Sequence, residues 1–356
     1  MAARTGMGTG TGPQTGTGTR TRTGTTGRTR GAGTALATGR GAGSGGGRLR
    51  RGLLAALVAA AVVVPVSAAA SPNVPAPAPA TFLEDATPRS RYAANSANLA
   101  EAARTAEDAD RPGRAARLRA MGAAGAAQFL TFDGRGRGRA VEVFGELESA
   151  DRVAVLVPGS DTTLDTYERF RAGAVSLQQR LQAEHPRSAV VAWLGYDTPG
   201  TVSTTVLSAD RADVAAAELA PFLERLRGMS GPGARLSLLC HSYGSVVCAR
   251  TATGSAVRDV VLFGSPGTGA GSARELPTGA RVWAGRGRGD WIGNVPHVRL
   301  GGIGFGTDPV DPAFGARAFA AGSVGHSDYL KPGTESLDSL AAIVLGTTTA
   351  PEADHG

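Results

Sequence analysis

Residues 235–248 read Arg-Leu-Ser-Leu-Leu-Cys-His-Ser-Tyr-Gly-Ser-Val-Val-Cys. Leu236–Cys240 is a short, nearly all-apolar run, the composition of a strand covered on both faces. A helix is expected from Ser245 onward. Between them, Cys240 to Gly244 spell small-x-Ser-x-Gly, with Cys240 where glycine is usual. A serine at so sharp a strand-to-helix turn takes a strained backbone. The residues two before and two after it must then be small, because the chain crowds there. Such a turn lifts Ser242 Oγ above the sheet. It sets the helix N-terminus behind the serine, where it favours developing negative charge, and places the Tyr243 N–H to donate to an oxyanion.

The surrounding sequence supplies the sheet. Val153–Val157, Ala189–Leu194, Val260–Phe263 and Val282–Ala284 are further apolar runs, separated by longer helical stretches. Leu219, Phe222, Leu223 and Leu226 recur at i, i+3, i+4, i+7, one face of a helix. Strand alternating with helix predicts an α/β fold with a parallel-rich sheet flanked by helices. Before it, residues 129–145 read as a hairpin turning at Gly134–Gly138. Ala-rich residues 90–127, broken at Pro112-Gly113, read as two helices over 92–108 and 114–127, a small helical N-terminal extension.

A serine hydroxyl needs a base, and the base needs an orienting acid. His326, in Gly325-His326-Ser327 before the last expected helix, is the candidate base. His297 is its competitor and reads equally as a structural residue. His241 adjoins the serine, with its side chain expected to point away from the Oγ face. His185 ends a helix, and His355 is near the C-terminus. The candidate acid is Asp290, just beyond the strand Val282–Ala284, with Asp308 and Asp311 as alternatives in turn-forming Asp-Pro contexts. Val157-Pro158-Gly159-Ser160-Asp161 follows an early strand. Gly159 permits close approach there, and the N–H of Ser160 or Asp161 is the expected second oxyanion donor. Tyr196, Asp197 and Trp291 are candidate cleft residues, with Phe305 as a further apolar wall.

The ordered set Val-Pro-Gly (157–159), Ala-Trp-Leu-Gly-Tyr-Asp (192–197), His-Ser-Tyr-Gly-Ser (241–245), Phe-Gly-Ser-Pro-Gly (263–267), Gly-Asp (289–290) and Gly-His-Ser (325–327) resembles the α/β-hydrolase superfamily. More narrowly, it is similar to an actinobacterial branch of unknown function whose members carry a helical segment ahead of the hydrolase core. The resemblance implies an α/β-hydrolase fold over about residues 129–347, with Ser242, Asp290 and His326 matching the triad, and no particular substrate. The expected activity is a serine hydrolase acting on a small-molecule or lipid carboxylic ester through an acyl-enzyme. An acyltransferase with the same triad and a catalytically silent binding module are the alternatives. No cofactor and no metal are expected: no His or carboxylate cluster has ligand spacing, and Gly264–Gly271 lacks the Gly-Lys-Ser/Thr of a phosphate loop.

Charge excludes one further class. The formal net charge is +7, from 37 basic and 30 acidic residues. Nine arginines and no acidic residue lie in residues 1–51, so from residue 52 onward 37 − 9 = 28 basic residues face 30 acidic ones, a net −2. A nucleic-acid partner is therefore not expected of the body. Residues 1–51 are 38 parts Gly, Thr and Arg, a composition too poor in apolar surface to fold, and are expected to be a disordered tail. Arg48-Leu49-Arg50-Arg51, the apolar run Leu53–Val64 and Ser67–Ala70 have the three parts of an export signal, its apolar and cleavage regions over residues 52–70. Left uncleaved, it would be a signal anchor tethering the chain to a membrane. A secreted or cell-surface location follows. Residues 71–89 form a Pro/Ala linker, 90–128 the helical extension, 129–349 the hydrolase domain and 350–356 a frayed end.

The two cysteines are expected to be buried free thiols. One ends a strand and the other lies in the helix running back along it, where a layer spacing of about 10 Å exceeds disulfide reach.

Overall fold

The computed structural model describes residues 74–83, 85–123, 127–201, 208–295, 297 and 304–348. The tail, the export signal and the C-terminal end lie outside the described residues. The chain divides into residues 1–54 and 55–356, and every element named here belongs to the second unit.

Two helices lead. α1 spans Pro88–Asp108 and α2 Pro112–Ala123. The first begins four residues earlier than its apolar pattern suggests. Thr87 accepts from the Ser90 N–H and Pro88 occupies the first turn, so the true start is a cap followed by a proline. Leu99, Ala102 and Ala103 of α1 and Leu118 and Met121 of α2 are buried with Phe129 and Phe132. Arg114 fastens the pair to the body. Its buried guanidinium donates to both oxygens of Asp165 (2.8 and 2.9 Å) and to the carbonyls of Gly134 and Gly136.

Eight strands follow: β1 Gln128–Asp133, β2 Arg139–Phe144, β3 Arg152–Val157, β4 Ser188–Leu194, β5 Arg235–His241, β6 Val257–Phe263, β7 Arg281–Gly285 and β8 Arg317–Ala318. They form one sheet in the order β1-β2-β4-β3-β5-β6-β7-β8. The hairpin β1–β2 adds to β4 antiparallel, and from β4 to β8 all pairs are parallel. The helices between them are α3 Tyr167–Glu184, α4 Asp210–Met229, α5 Gly244–Cys248 and α6 Glu335–Leu345.

Alternation along each strand divides the core. Val153, Val155, Val157, Leu236, Leu238 and Cys240 face α4, where Leu219, Phe222, Leu223 and Leu226 are buried as their spacing requires. Ala154, Leu156, Leu239, Val261 and Trp283 face Leu177 and Leu181 of α3 and Leu337, Leu340 and Val344 of α6. Strand order reverses at β3: the chain leaves it toward β4 on one side and returns to β5 on the other. Loops leaving the carboxyl ends of β3 and β5 therefore diverge and leave a crevice, the usual place for a site in an open α/β sheet. Val157 pairs with Cys240 at that edge, which brings Pro158–Ser160 beside His241 and Ser242.

Candidate active site

The turn after β5 is as tight as its sequence demands. Ser242 has φ 53°, in the left-handed region that side chains avoid. A Cβ at Gly244 would lie 2.6 Å from the Val157 oxygen and 2.7 Å from the Pro158 oxygen, so only glycine fits. A Cβ at Gly159 would lie 2.6 Å from that of Ser242, so the loop after β3 comes into contact with the serine.

Cys240 and Cys248 are disulfide-bonded, with Cα atoms 6.4 Å apart, which corrects the expectation of free thiols. The layer argument failed because it assumed a full helix lying across the sheet. α5 is a five-residue helix that starts two residues after Ser242, so its end is still close to the strand it came from. The bond closes a loop that contains Ser242 and Tyr243.

Three distant segments meet above this turn. His326 Nδ1–H donates to Asp290 Oδ1 (2.8 Å), and Ser242 Oγ–H donates to His326 Nε2 (2.9 Å). The carboxylate can only accept, which sets this tautomer. Asp290 is buried and saturated. Oδ1 also accepts from the Ile292 N–H (2.9 Å), and Oδ2 accepts from the Tyr329 hydroxyl (2.6 Å). Burial pushes its carboxyl up, but the hydrogen bonds from His326, Tyr329 and Ile292 outweigh burial and hold it below the usual carboxylate range. Neither rival acid reaches the imidazole. Asp308 pairs with Arg286 and caps Val310, and Asp311 caps Ala313. His297 faces the Ser265 carbonyl and Asp308, and His185 pairs with Asp151.

Three supporting groups escaped the sequence reading. His241 does not bond Ser242. Its Nε2–H donates to the His326 carbonyl (2.7 Å), and the two rings lie 4.8 Å apart. Burial, reinforced by His326, pushes its imidazole down to about 3, so it is neutral. Tyr329 bridges Asp290 and the Gly287 N–H (3.0 Å). Ser245 Oγ lies 2.6 Å from the Ser242 carbonyl and 2.6 Å from Ser265 Oγ, bracing the turn from behind. Gly264 makes room for this cluster: at φ 56°, its Cβ would meet Asp290, Tyr329 and His241 at 3.0–3.3 Å.

On the oxyanion side, the N–H groups of Tyr243 and Ser160 have no hydrogen-bond partner among the described residues. Asp161 is excluded as a donor, because its N–H is committed to the Pro199 carbonyl (2.9 Å). Two cleft candidates are corrected. Tyr196 is buried, stacks on Trp193, and donates to the Pro158 carbonyl (2.7 Å), so it supports the loop from the core. Asp197 pairs with Arg139 at the surface. Adjacent in the loop after β4, one is buried and the next exposed, and neither bonds Ser242. Phe305 is likewise core, packed edge-on to Tyr243. Trp291 is 48% exposed, with its ring 4.7 Å from that of His326.

No cluster of His, Cys, Asp or Glu among the described residues has the arrangement to hold a metal ion. A separate concavity of about 700 Å³ opens at the other end of β5, between Arg227, Arg235 and Arg258, and none of Ser242, Asp290 and His326 lines it.

This strand order, with a strained serine after β5, a carboxylate after β7 and a histidine after the short β8, defines an α/β-hydrolase fold. Residues 133–300 match the model of a family described as Alpha/beta hydrolase, and over that stretch the chain is similar to it. Its relatives include an uncharacterized protein of Mycobacterium tuberculosis, 32% identical over an alignment of 260 residues that covers 62% of this chain and 39% of that one. Another is an uncharacterized protein of Mycobacterium bovis, 30% identical over 143 residues, 37% of this chain and 53% of the relative. The chain thus spans well under two thirds of the length of these relatives. Among solved structures, it is similar to esterase LipW from Mycobacterium marinum (17% identity, TM-score 0.38, 70% of this chain and 89% of that one). It is also similar to an α/β serine hydrolase without a lid from Xanthomonas campestris (18% identity, TM-score 0.37, 62% and 92%).

Proposed function

We propose that the protein is an exported serine hydrolase that cleaves a carboxylic ester through an acyl-enzyme. One observation carries the reading: the unbroken hydrogen-bond chain from Ser242 Oγ through His326 to Asp290, at 2.9 and 2.8 Å. Ser242 Oγ attacks the ester carbonyl while His326 Nε2 takes its proton. The carbonyl oxygen becomes an oxyanion held by the N–H groups of Tyr243 and Ser160, an arrangement worth several kcal/mol of barrier per donor, roughly 3. The carbon–oxygen bond to the alcohol then breaks. His326 Nε2–H returns the proton to the departing oxygen, and the acyl group stays on Ser242. Water repeats the sequence from the other side: Nε2 takes its proton, the acid leaves, and Ser242 regains a hydrogen. Asp290 stays ionised throughout, orienting the imidazole and stabilising its cationic form.

Export is supported by the basic and apolar segments at Arg48–Val64 and by the Cys240–Cys248 bond, since disulfides persist in oxidising compartments. A fluorophosphonate probe with intact-mass analysis tests the activity. The expected result is a single adduct on the wild-type chain and none on Ser242→Ala, whose turnover of a p-nitrophenyl ester falls by at least roughly a thousandfold with folding unchanged. A folded wild type that forms no adduct refutes the proposal.

A further inference from the structure

Two of the three tryptophans, Trp193 and Trp283, are in the core at 2% and 1% exposure. The third is held out in water at the one place where the proposed chemistry would use it. Trp291 follows the triad acid directly and opens a short 3₁₀ turn, Trp291–Asn294. That turn is rigid for a stated reason. Asp290 Oδ1, which orients His326, also accepts from Ile292 N–H, and the Ile292 side chain is buried beneath. The backbone turn that carries the indole is thus held by the same carboxylate that orients the imidazole. Val295, at the end of the turn, is exposed as well. An apolar surface this close to a reactive centre loses free energy in water and recovers it when something apolar covers it.

What covers it follows from the direction of proton transfer. His326 Nε2 must come within hydrogen-bond reach of the departing oxygen to protonate it. The alcohol half of an ester therefore leaves beside His326. The carbonyl oxygen turns the other way, toward the Tyr243 and Ser160 amides. Trp291, its ring 4.7 Å from the imidazole, adjoins the group that meets the departing oxygen. We infer that Trp291 is a specificity residue that binds the alcohol half of the substrate, and that this half is apolar and carries a flat ring. Offset contact between two rings adds to the affinity that the buried area itself supplies. The inference rests on the ester-hydrolase reading above.

The test uses two esters with one acyl group, benzyl butanoate and ethyl butanoate, whose alcohols are similar leaving groups. The readout is the benzyl-to-ethyl ratio of kcat/KM in the full chain. Wild type is expected to prefer the benzyl ester. Trp291→Ala is expected to lower the ratio by roughly tenfold, mostly through the KM for the benzyl ester, and Trp291→Phe to restore most of it. A second series fixes the benzyl alcohol and lengthens the acyl chain, where wild type and variant should keep parallel profiles. Equal losses on both butanoates would mean that Trp291 merely supports His326, and would overturn the inference. So would a ratio that follows the acyl chain. Fluorophosphonate labelling separates the two levels. An adduct on Ser242 in both proteins with an unchanged ratio overturns this inference alone; no adduct on wild type overturns the hydrolase reading and this one with it.

Discussion

The Cys240–Cys248 bond makes a quantitative prediction. It joins residues eight apart, so it closes a very short loop in the unfolded chain. The chain-entropy relation gives a loss of about 8 cal/mol/K for a loop of this length, or about 2.5 kcal/mol of stability at 25 °C. Both residues are buried, so the bond should resist reduction while the protein stays folded. Wild type unfolded in urea should therefore be about 2.5 kcal/mol more stable without a dithiol reductant than with it, a midpoint shift of roughly 1 M. Cys240→Ala/Cys248→Ala should lose at least as much, because removing two buried sulfur atoms adds a cavity term. Maleimide should label no thiol on chain unfolded without reductant, and two after reduction. The loop also holds Ser242 and Tyr243, so the reduced protein should react several-fold more slowly with a fluorophosphonate. Two reactive thiols in protein recovered from an oxidising medium would refute the pairing. Equal midpoints in both redox states would refute the loop argument.

Three other perturbations test the site. Tyr329→Phe removes the hydroxyl between Asp290 Oδ2 and Gly287 N–H; it should destabilise by about 1–3 kcal/mol and lower kcat by more than it raises KM, read by urea unfolding and steady-state kinetics. Gly244→Ala drives a Cβ into two carbonyl oxygens and should abolish fluorophosphonate labelling or folding, and a folded, labelled variant would show that the turn is looser than described. The pH dependence of stability follows from His241. Its folded value, about 3, lies below its ordinary 6.5, so between those pH values the unfolded chain binds a proton that the folded one does not. The stabilisation is complete above pH 6.5 and is lost as pH falls toward 3, by an amount on the order of a few kcal/mol. Asp290, also held low, loses its contribution in the same direction at more acid pH. Urea unfolding from pH 7 to 4 should show this slope in wild type and a shallower one in His241→Gln; equal slopes would assign it elsewhere.

Much of the framework is local, and local features are legible. The apolar runs at 153–157, 189–194, 236–240, 260–263 and 282–284 are each within a strand of the sheet, because a strand buried on both faces admits few polar residues. The turn at Ser242 was visible because crowding there admits only small residues at two fixed positions. Asp290 is legible because it follows the apolar strand at 282–284, and His326 because it lies in a small-residue loop before the last helix. β8 was not legible: two exposed residues, Arg317 and Ala318, carry no periodicity. The start of the helix at Pro88 is not legible from apolar spacing, which begins after the cap that sets the start.

The sequence by itself determined the alternation of strand and helix, the strained turn and the order of serine, acid and histidine, since each depends on neighbours within a few residues. Only the tertiary structure decided what surrounds them. Tyr329 reaches Asp290 across 39 residues and His241 reaches His326 across 85, contacts that no local pattern encodes. Tyr196 and Trp291 are both aromatic and both at strand-end loops, yet one is core and the other lies beside the imidazole. Which way each ring turns depends on the packing partners that the fold brings to it. The cystine is the same case: the length of one short helix, not the spacing of the cysteines, set the distance between them.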